Sequence, residues 1–487
     1  MRTVIIGAGI AGLAAAVRLA AQGHEVVVFE SEEGPGGKLS EFPLGDYRFD
    51  LGPSLFTMPQ YVDELFELAG EKPRDHFSYQ RLPIVCNYFW EDGTRIHAHA
   101  AKEDFAKEVE EVLDVPANRI TRILADAEKK YHVSGRTFLE KSLHKLSTWT
   151  NLEVLKALFK IPQLDLFRSM DAVHRRQLQH PKLVQLFNRF ATYNGSNPYK
   201  APGLLTIIPH FEHHFGAYLP DGGMYSISQS VYDLACRQGV KFHFNTKVDE
   251  ILVSNGSANG VRTGNETHAF DQVVSNMDVF FTYRKLLPQQ RQPERILAQQ
   301  KSTSALIFYW GIKKTFPALN CHNILFSEDY PAEFAAMERG EMSNDPTVYI
   351  NKTSHLVPGD APEGCENWFV MINAPCDAGQ DWQLLQQQTR ERTIAKINNI
   401  LGEDIEPLIE EEWVMTPPVI QTKTGSHLGS LYGTSSNSKM AAFMRHPNFS
   451  HRISNLFFVG GSVHPGGGIP LCLLSAKIMS EMVDNSH

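Results

Sequence analysis

Two glycine-rich turns near opposite ends of the chain carry the residue spacing that could do chemistry. The first, Gly7-Ala8-Gly9-Ile10-Ala11-Gly12, follows the apolar run Val4 to Ile6 and precedes Leu13, Ala16 and Leu19 at helical spacing. In a strand, turn and helix of this kind Gly7 makes the turn, Gly9 lets the backbone approach a pyrophosphate, and Gly12 lets the helix close on the sheet. The start of the helix, Ala11 included, adds unpaired N–H groups and a positive dipole end. Glu30 ends the next apolar strand, Glu25 to Phe29, where a carboxylate would bond ribose hydroxyls. An acid there argues against a 2′-phosphate, hence against NADP. The second turn, Gly460 to Pro470, follows Leu456 to Val459 and opens another helix, again placing bare N–H groups where negative charge can settle.

These turns need rigid elements behind them, and the rest of the chain supplies candidates. The alternating segment Leu44 to Ser54 ends in a Gly-Pro turn, and Met58 to Ala69 reads as a short helix. Arg81 to Trp90 and Thr94 to His99 form a hairpin about Glu91-Asp92-Gly93. From Lys102 to Phe190 the period is helical, punctuated by Pro116, Pro162 and Pro181, and Tyr193 to Tyr199 is a polar connector. Asp221-Gly222-Gly223-Met224 opens a helix to Arg237, with strands at Val240 to Phe244 and Asp271 to Asn276 beyond it. Ser304 to Ile312, Thr347 to Asn351 and Trp368 to Asn373 are strand-like, Gln383 to Leu401 is helical, and Cys472 to Met482 closes the chain as a helix. The predicted class is α/β: a Rossmann-like domain from 1–75, 222–280 and 445–487, interleaved with a mixed-sheet substrate domain from 76–221 and 281–444. The latter carries an inserted helical block at about 102–190.

Composition narrows the function. Over 487 residues, 42% hydrophobic and 21% charged is ordinary globular usage, and a net charge of −9 gives no footprint for nucleic acid. The six cysteines are never spaced CxxC, so neither a disulfide framework nor a zinc site is indicated, and Cys472 reads as a small packed residue. His97 and His99 share a strand face, and His210, His213 and His214 cluster, but neither set reads as a metal site; no metal is expected. No run of about eighteen apolar residues occurs. Between Glu140 and Lys182, however, eight Lys/Arg face four Asp/Glu, around Leu152, Leu155, Leu158 and Phe159 at helical spacing. Such helices near 152–170 suit a membrane interface, where aliphatic stems bury and charges snorkel. With a strand opening at the start of the sequence no leader is expected, and the predicted location is the cytoplasm, at the inner face of the cytoplasmic membrane.

Gly36-Gly37-Lys38, a few residues after Glu30, resembles the extended pattern of the glutathione-reductase-like flavoproteins and implies FAD. In that superfamily the counterpart of Gly52-Pro53-Ser54, with Leu55 beside it, passes the flavin ring. The backbone at Val248 meets the adenine, and the strand ending at Asn276 stops near the cofactor. Gly461, Ser462, Val463, Gly468, Ile469 and Pro470 then correspond to the loop at the redox-active ring.

Over essentially its whole length the chain resembles the bacterial carotenoid desaturases of the phytoene-desaturase type. The N-terminal unit, Gly222-Gly223-Met224 and His464-Pro465-Gly466-x-Gly468-Ile469-Pro470 carry the likeness. Ser462 stands where many flavoproteins place an Asp for the ribityl chain. The stretch Tyr193-Asn194-Gly195-Ser196-Asn197-Pro198-Tyr199 is more similar to members acting on hydroxylated carotenoids, the 1-hydroxycarotenoid 3,4-desaturases. The resemblance implies removal of two hydrogens from a long polyene, one as hydride and one as a proton, with a carotenoid as substrate and oxygen or quinone as reoxidant. Tyr193, Asn194, His213 and His464 are the candidate substrate contacts. No carboxylate dyad or Ser/His/Asp arrangement stands out, so no catalytic residue is assigned. Phytoene desaturase, carotenoid isomerase, flavin amine oxidase and a non-catalytic lipid-binding module of the same fold remain as alternatives.

Overall fold

A computed structural model describes residues 1–135, 139–150, 164–438 and 444–484. Its first layer is a five-stranded parallel sheet in the order Leu456–Phe458, Gln272–Ser275, Arg2–Ile6, Glu25–Phe29, Lys241–His243. The runs Val4-Ile5-Ile6 and Val26-Val27-Val28 are buried on both sides, as parallel strands covered on both faces require. Ile5, Val26 and Val28 turn to one face, where they meet the helices Ile10–Ala21, Tyr225–Arg237 and Ile469–Asp484. Val4, Ile6, Val27 and Phe29 turn to the other, against Val248, Ile251 and Val261 of a three-stranded antiparallel sheet, Glu250–Ser254, Ser257–Thr263 and Glu266–Ala269. The last helix starts at Ile469, three residues before its predicted start, because Pro470 in a first turn sacrifices no hydrogen bond.

The second layer is a seven-stranded mixed sheet: Ile409–Met415, Ser304–Ile312, Glu366–Ala374, Val348–Lys352, His322–Leu325, Ile84–Phe89, Arg95–His99. Only the pairing of Asn323-Ile324-Leu325 with Asn87-Tyr88-Phe89 is parallel. Alternation along these strands gives the sheet two different faces. One carries Trp310, Trp368, Ile350 and Ile372 into a core closed by Trp382, Ile394 and Ile397 of the helix Trp382–Leu401. Burying an indole of about 200 Å² at about 25 cal/mol per Å² contributes roughly 5 kcal/mol before entropy is counted, so this face anchors the sheet. The opposite face carries Ile307, Tyr349, Phe369, Met371, His322 and Ile324 and lines a cavity.

The helices Lys102–Leu113, Ala117–Lys130, Met170–Leu178 and Pro181–Asn188 pack through Phe105, Ile120, Ile123 and Phe187 against the hairpin strands. Leu152, Leu155, Leu158 and Phe159 lie outside the described residues. The connector near 193–199 is less open than its polar composition suggests. Ser196 and Asn197 are buried, and Asn197 donates its side-chain amide to Glu338 at 2.8 Å while its backbone N–H donates to Asn437 at 2.7 Å. Among the described residues no helix is long and apolar enough to cross a membrane.

Candidate functional site

A single cavity of about 1150 Å³ runs from the first glycine turn, past the last one, to the open face of the mixed sheet. Gly7, at φ +97°, turns the chain off the first strand, and its N–H donates to the Phe29 carbonyl at 2.8 Å. A Cβ on Gly9 would stand 2.8 Å from the Asn276 amide nitrogen, which leaves bare backbone at the cavity wall. Gly12 plays a different part: its Cβ would fall 2.2 Å from the Gly7 carbonyl oxygen, so it seats the helix and does not line the cavity. Ala11 does line it. Glu30 accepts from the Ala8 N–H at 2.6 Å through one oxygen, and from the Ser31 hydroxyl at 3.1 Å and the Glu32 N–H at 3.0 Å through the other. This carboxylate is thereby fixed beside Thr246 to Asp249, with Val248 among the lining residues.

In the middle of the cavity Gly37, Lys38, Gly52, Pro53, Ser54 and Leu55 face Gly461, Ser462, Gly468, Ile469 and Pro470. Lys38 Nζ donates to the Leu431 carbonyl at 2.9 Å. Burial pulls its pKa below the ordinary lysine value, with Asp278 and Cys472 acting the other way. The Ser462 hydroxyl accepts from the Val279 N–H at 3.0 Å and so braces the loop from Asp278 to Phe281. Val463 is buried beside Val4 and Ile6 and does not reach the cavity, because the loop turns its side chain back onto the sheet. His464 lines the cavity. Its Nε2 donates to the Lys141 carbonyl at 2.9 Å, Nδ1 has no partner among the described residues, and burial pushes its pKa down to about 4. The imidazole is therefore neutral at pH 7, with a free acceptor nitrogen.

Several lining residues escaped the sequence reading. Arg445 is buried beside Gly466, donates to the Tyr432 carbonyl at 3.2 Å and, among the described residues, has no carboxylate partner. Burial lowers its pKa to about 10, so it stays cationic and adds to the positive end of the last helix. Nothing in the sequence around it marks such a residue. Asp278 did leave a signal, an acid directly before the apolar run Val279-Phe280-Phe281, and it caps that turn by accepting from the Phe280 N–H at 2.9 Å.

At the far end, apolar Leu204, Ile208, Phe211, Ile307, Phe369 and Met371 surround Tyr193 and Asn194 together with Arg189, Glu212, His322 and Tyr349. His213 is not among them. On the short helix Ile208–His213 it points away and stacks on Phe105 at 5.0 Å, while Phe211 and Glu212 face the cavity.

The other histidine groups have local explanations. Glu108 bridges His97 and His99 with a 2.6 Å contact to each ring. Glu128, His210 and His214 bring candidate ligand atoms within 4.8 Å of one another. The two rings, however, stack at 4.4 Å and 14°, which sets their in-plane lone pairs side by side, and Lys102 sits 3.6 Å from Glu128. Cys472 lines the cavity with its thiol pushed up to about 11 by burial, far from thiolate character.

A glycine turn at a helix start, a carboxylate fixed after the next strand and a second glycine loop meet in one cavity, as in a flavin-dependent oxidoreductase. The chain belongs to the family described as flavin containing amine oxidoreductase, which it matches over residues 10–483, and its cofactor is FAD. It is 51% identical to the 1-hydroxycarotenoid 3,4-desaturase of Flavobacterium sp. (strain P99-3), over 100% of this chain and 99% of that protein. It is 33% identical to the 4,4'-diapolycopene oxygenase of a Methylomonas species, over 99% and 98% of the two chains. Its fold is also that of an oxidoreductase from Methanosarcina mazei, with a TM-score of 0.63 at 16% identity, covering 99% of this chain and 100% of that one.

Proposed function

We propose that the protein is an FAD-dependent carotenoid desaturase that removes the hydrogens of the C3–C4 bond of a 1-hydroxylated carotenoid. The observation that carries the reading is the continuity of one cavity from the dinucleotide cradle to an apolar pocket against the mixed sheet. The 51% identity to a 1-hydroxycarotenoid 3,4-desaturase supports the choice of substrate. When bound, FAD supplies a two-electron acceptor for the hydrogen that leaves with its bonding pair. The chain itself orients an extended polyene along Leu204, Ile208, Phe369 and Met371, and these walls exclude water from the reacting carbons. A cation delocalised along a polyene is acidic at the neighbouring carbon, so a weak base suffices. His464 Nδ1, neutral and unpartnered, is the proton acceptor in this reading.

Gly7, Gly9, Ala11, Glu30, Val248 and Asn276 are assigned to the adenine and diphosphate side of FAD, and Gly37 and Lys38 to the stretch between that side and the ring. Gly52 to Leu55, Gly461, Ser462 and Gly468 to Pro470 are assigned to its ring side. The cofactor part of the chain, 1–75, 222–280 and 445–487, supplies every strand of the parallel sheet in this division, and 76–221 with 281–444 supply the mixed sheet. The decisive test is the pigment formed from a 1-hydroxylated linear carotenoid by the FAD-loaded protein. A red-shifted absorption spectrum with one added conjugated double bond is expected, and no shift overturns the reading.

The stretch about 152–170 is assigned to a membrane surface from which the carotenoid enters. The excess of Lys and Arg between residues 140 and 182 supports this, as does Phe167, 78% exposed at its edge. Replacing Leu155 and Phe159 by Asp is expected to abolish co-sedimentation with liposomes; unchanged binding refutes the contact. Oxygen or a membrane quinone returns the flavin to its oxidised state in this scheme, and the rate of reoxidation under each distinguishes them.

A further inference from the structure

The far end of the cavity holds more charge than a hydrocarbon needs. Arg189 and Glu212 are 7% and 2% exposed and lie 3.5 Å apart. Arg189 also donates to the Tyr88 hydroxyl at 2.6 Å and the Tyr193 hydroxyl at 3.2 Å, and Tyr193 donates to the second Glu212 oxygen. Taking two ions out of water is expensive, and apolar residues of similar volume would serve a polyene wall as well or better. The contact from Arg189 to Glu212 Oε1 is long, at 3.5 Å, and among the described residues no better donor fills that oxygen's lone pairs.

His322, on the mixed sheet, lines the same end. Its Nδ1 is 2.8 Å from the Tyr349 hydroxyl and 3.3 Å from the Asn351 amide nitrogen, which also donates to the Cys321 carbonyl at 2.9 Å. An amide nitrogen only donates, so the network assigns Nδ1 as acceptor and puts the ring proton on Nε2. Nε2 is buried and, among the described residues, has no partner. Burial also pushes the His322 pKa down to about 4, with Glu212 and Arg189 both near enough to act on it, in opposite senses. A buried N–H without an acceptor is an incomplete site, and the Glu212 carboxylate, which lines the same cavity and acts electrostatically on the ring, supplies the complementary half.

We propose that Glu212 and His322, held by Arg189, Tyr193 and Tyr349, form a subsite for an alcohol oxygen at the end of the substrate. The alcohol O–H donates to Glu212 Oε1, and its oxygen accepts from His322 Nε2–H. Because the alcohol is expected on the grounds given above, the proposal rests on the desaturase reading and specifies which residues read the substrate. The placement suits the chemistry. The oxygen of a 1-hydroxylated carotenoid sits two carbons from C3, so its anchor must lie close to the redox-active end. Ser54, in the turn assigned to the ring side, bonds the Tyr349 hydroxyl at 2.8 Å, and Tyr349 bonds His322; two hydrogen bonds span the distance.

A site built to bond a hydroxyl rejects the analogue that lacks it, since its own polar groups would be left unpaired. The test uses the FAD-loaded full chain with two probes in phosphatidylcholine liposomes, a linear C40 carotenoid bearing a 1-hydroxyl and its parent without one. The ratio of kcat/KM for the two probes should favour the alcohol by at least about tenfold. His322→Leu and Glu212→Gln should each cut that ratio about tenfold, and His322→Gln, which retains an N–H donor, should retain more of it than His322→Leu. A ratio unchanged in both His322→Leu and Glu212→Gln, each with full FAD content, overturns the subsite, and so does a wild type without preference. Perturbation of the flavin absorbance on anaerobic binding separates the two readings. Preferential binding of the alcohol without product means that the subsite stands and desaturation fails. Product formed with a variant-insensitive ratio means the reverse.

Discussion

The two ends of the cavity are built in opposite ways. The end at the first glycine turn is backbone: Gly7 holds a φ of +97° that favours glycine, a Cβ on Gly9 would stand 2.8 Å from the Asn276 amide nitrogen, and Gly12 behind them seats the helix with its Cβ position 2.2 Å from the Gly7 carbonyl oxygen. The far end is side chain: Arg189, Glu212, His322 and Tyr349 come from four separate segments, and no two of them are neighbours in sequence. A backbone cradle admits few substitutions and serves a fixed ligand, whereas a side-chain pocket can be re-cut for a new substrate without disturbing the cradle.

The contrast can be broken most sharply at Gly12. Gly12→Val would drive its side chain into the Gly7 carbonyl, and FAD occupancy of the purified protein should fall at least about a hundredfold, read from the absorbance ratio at 450 and 280 nm. A yellow Gly12→Val protein would show that the cradle is as forgiving as the pocket. Next in size, His464→Phe should lower kcat about a hundredfold with KM changed little, because it removes the unpartnered Nδ1 but keeps the ring volume. A normal kcat would remove His464 from the proton path.

A third test concerns stability. His213 sits buried on Phe105 with its pKa pushed down to about 4 by burial, below the ordinary 6.5 of the unfolded chain. The unfolded chain therefore binds the proton more readily. Its contribution to stability is whole above about pH 6.5 and is lost as the pH falls through about 4, by at most ~3 kcal/mol. His213→Phe should flatten the decline of Tm between pH 6.5 and 4 without changing the ratio of rates for the two probes; an unaltered slope refutes the assignment. The smallest effect is expected at Glu108, whose carboxylate spans His97 and His99 on the half-exposed hairpin. Glu108→Gln should cost about 1 kcal/mol in denaturant unfolding and leave FAD content intact.

How much could be read in advance follows the same division. Glycine spacing, the strand before it and the helix after it are local facts, so the turn from Gly7 to Gly12 and the strand ending before Glu30 are legible directly from the residues, whereas Gly36-Gly37-Lys38 has meaning only through a family resemblance. Five of the seven mixed-sheet strands were legible, the hairpin from its alternation and three inner strands as strand-like runs, but His322–Leu325 and Ile409–Met415 were not, nor was the face that meets the cavity. Gly12 closes the helix on the sheet as its spacing predicts, whereas Val463, expected in the ring-side loop, turns back onto the sheet; a single residue's direction at a turn depends on packing that spacing does not encode. His213 was picked from a cluster of three histidines, and the helix phase then gave the position to Glu212, one residue earlier. His322, at the start of the short strand His322–Leu325, and Arg445, after a methionine, carry no local mark at all.

The sequence by itself determined a strand, a glycine turn and a helix start at its beginning, because tight turns and helix starts are set by residues a few positions apart, and its resemblance to the flavoproteins implied FAD. The tertiary structure alone decided which polar groups stand together in the apolar pocket. Arg189, Glu212 and His322 meet only when the helical block folds against the mixed sheet, and burial then turns three ordinary side chains into an ion pair and an unpaired donor.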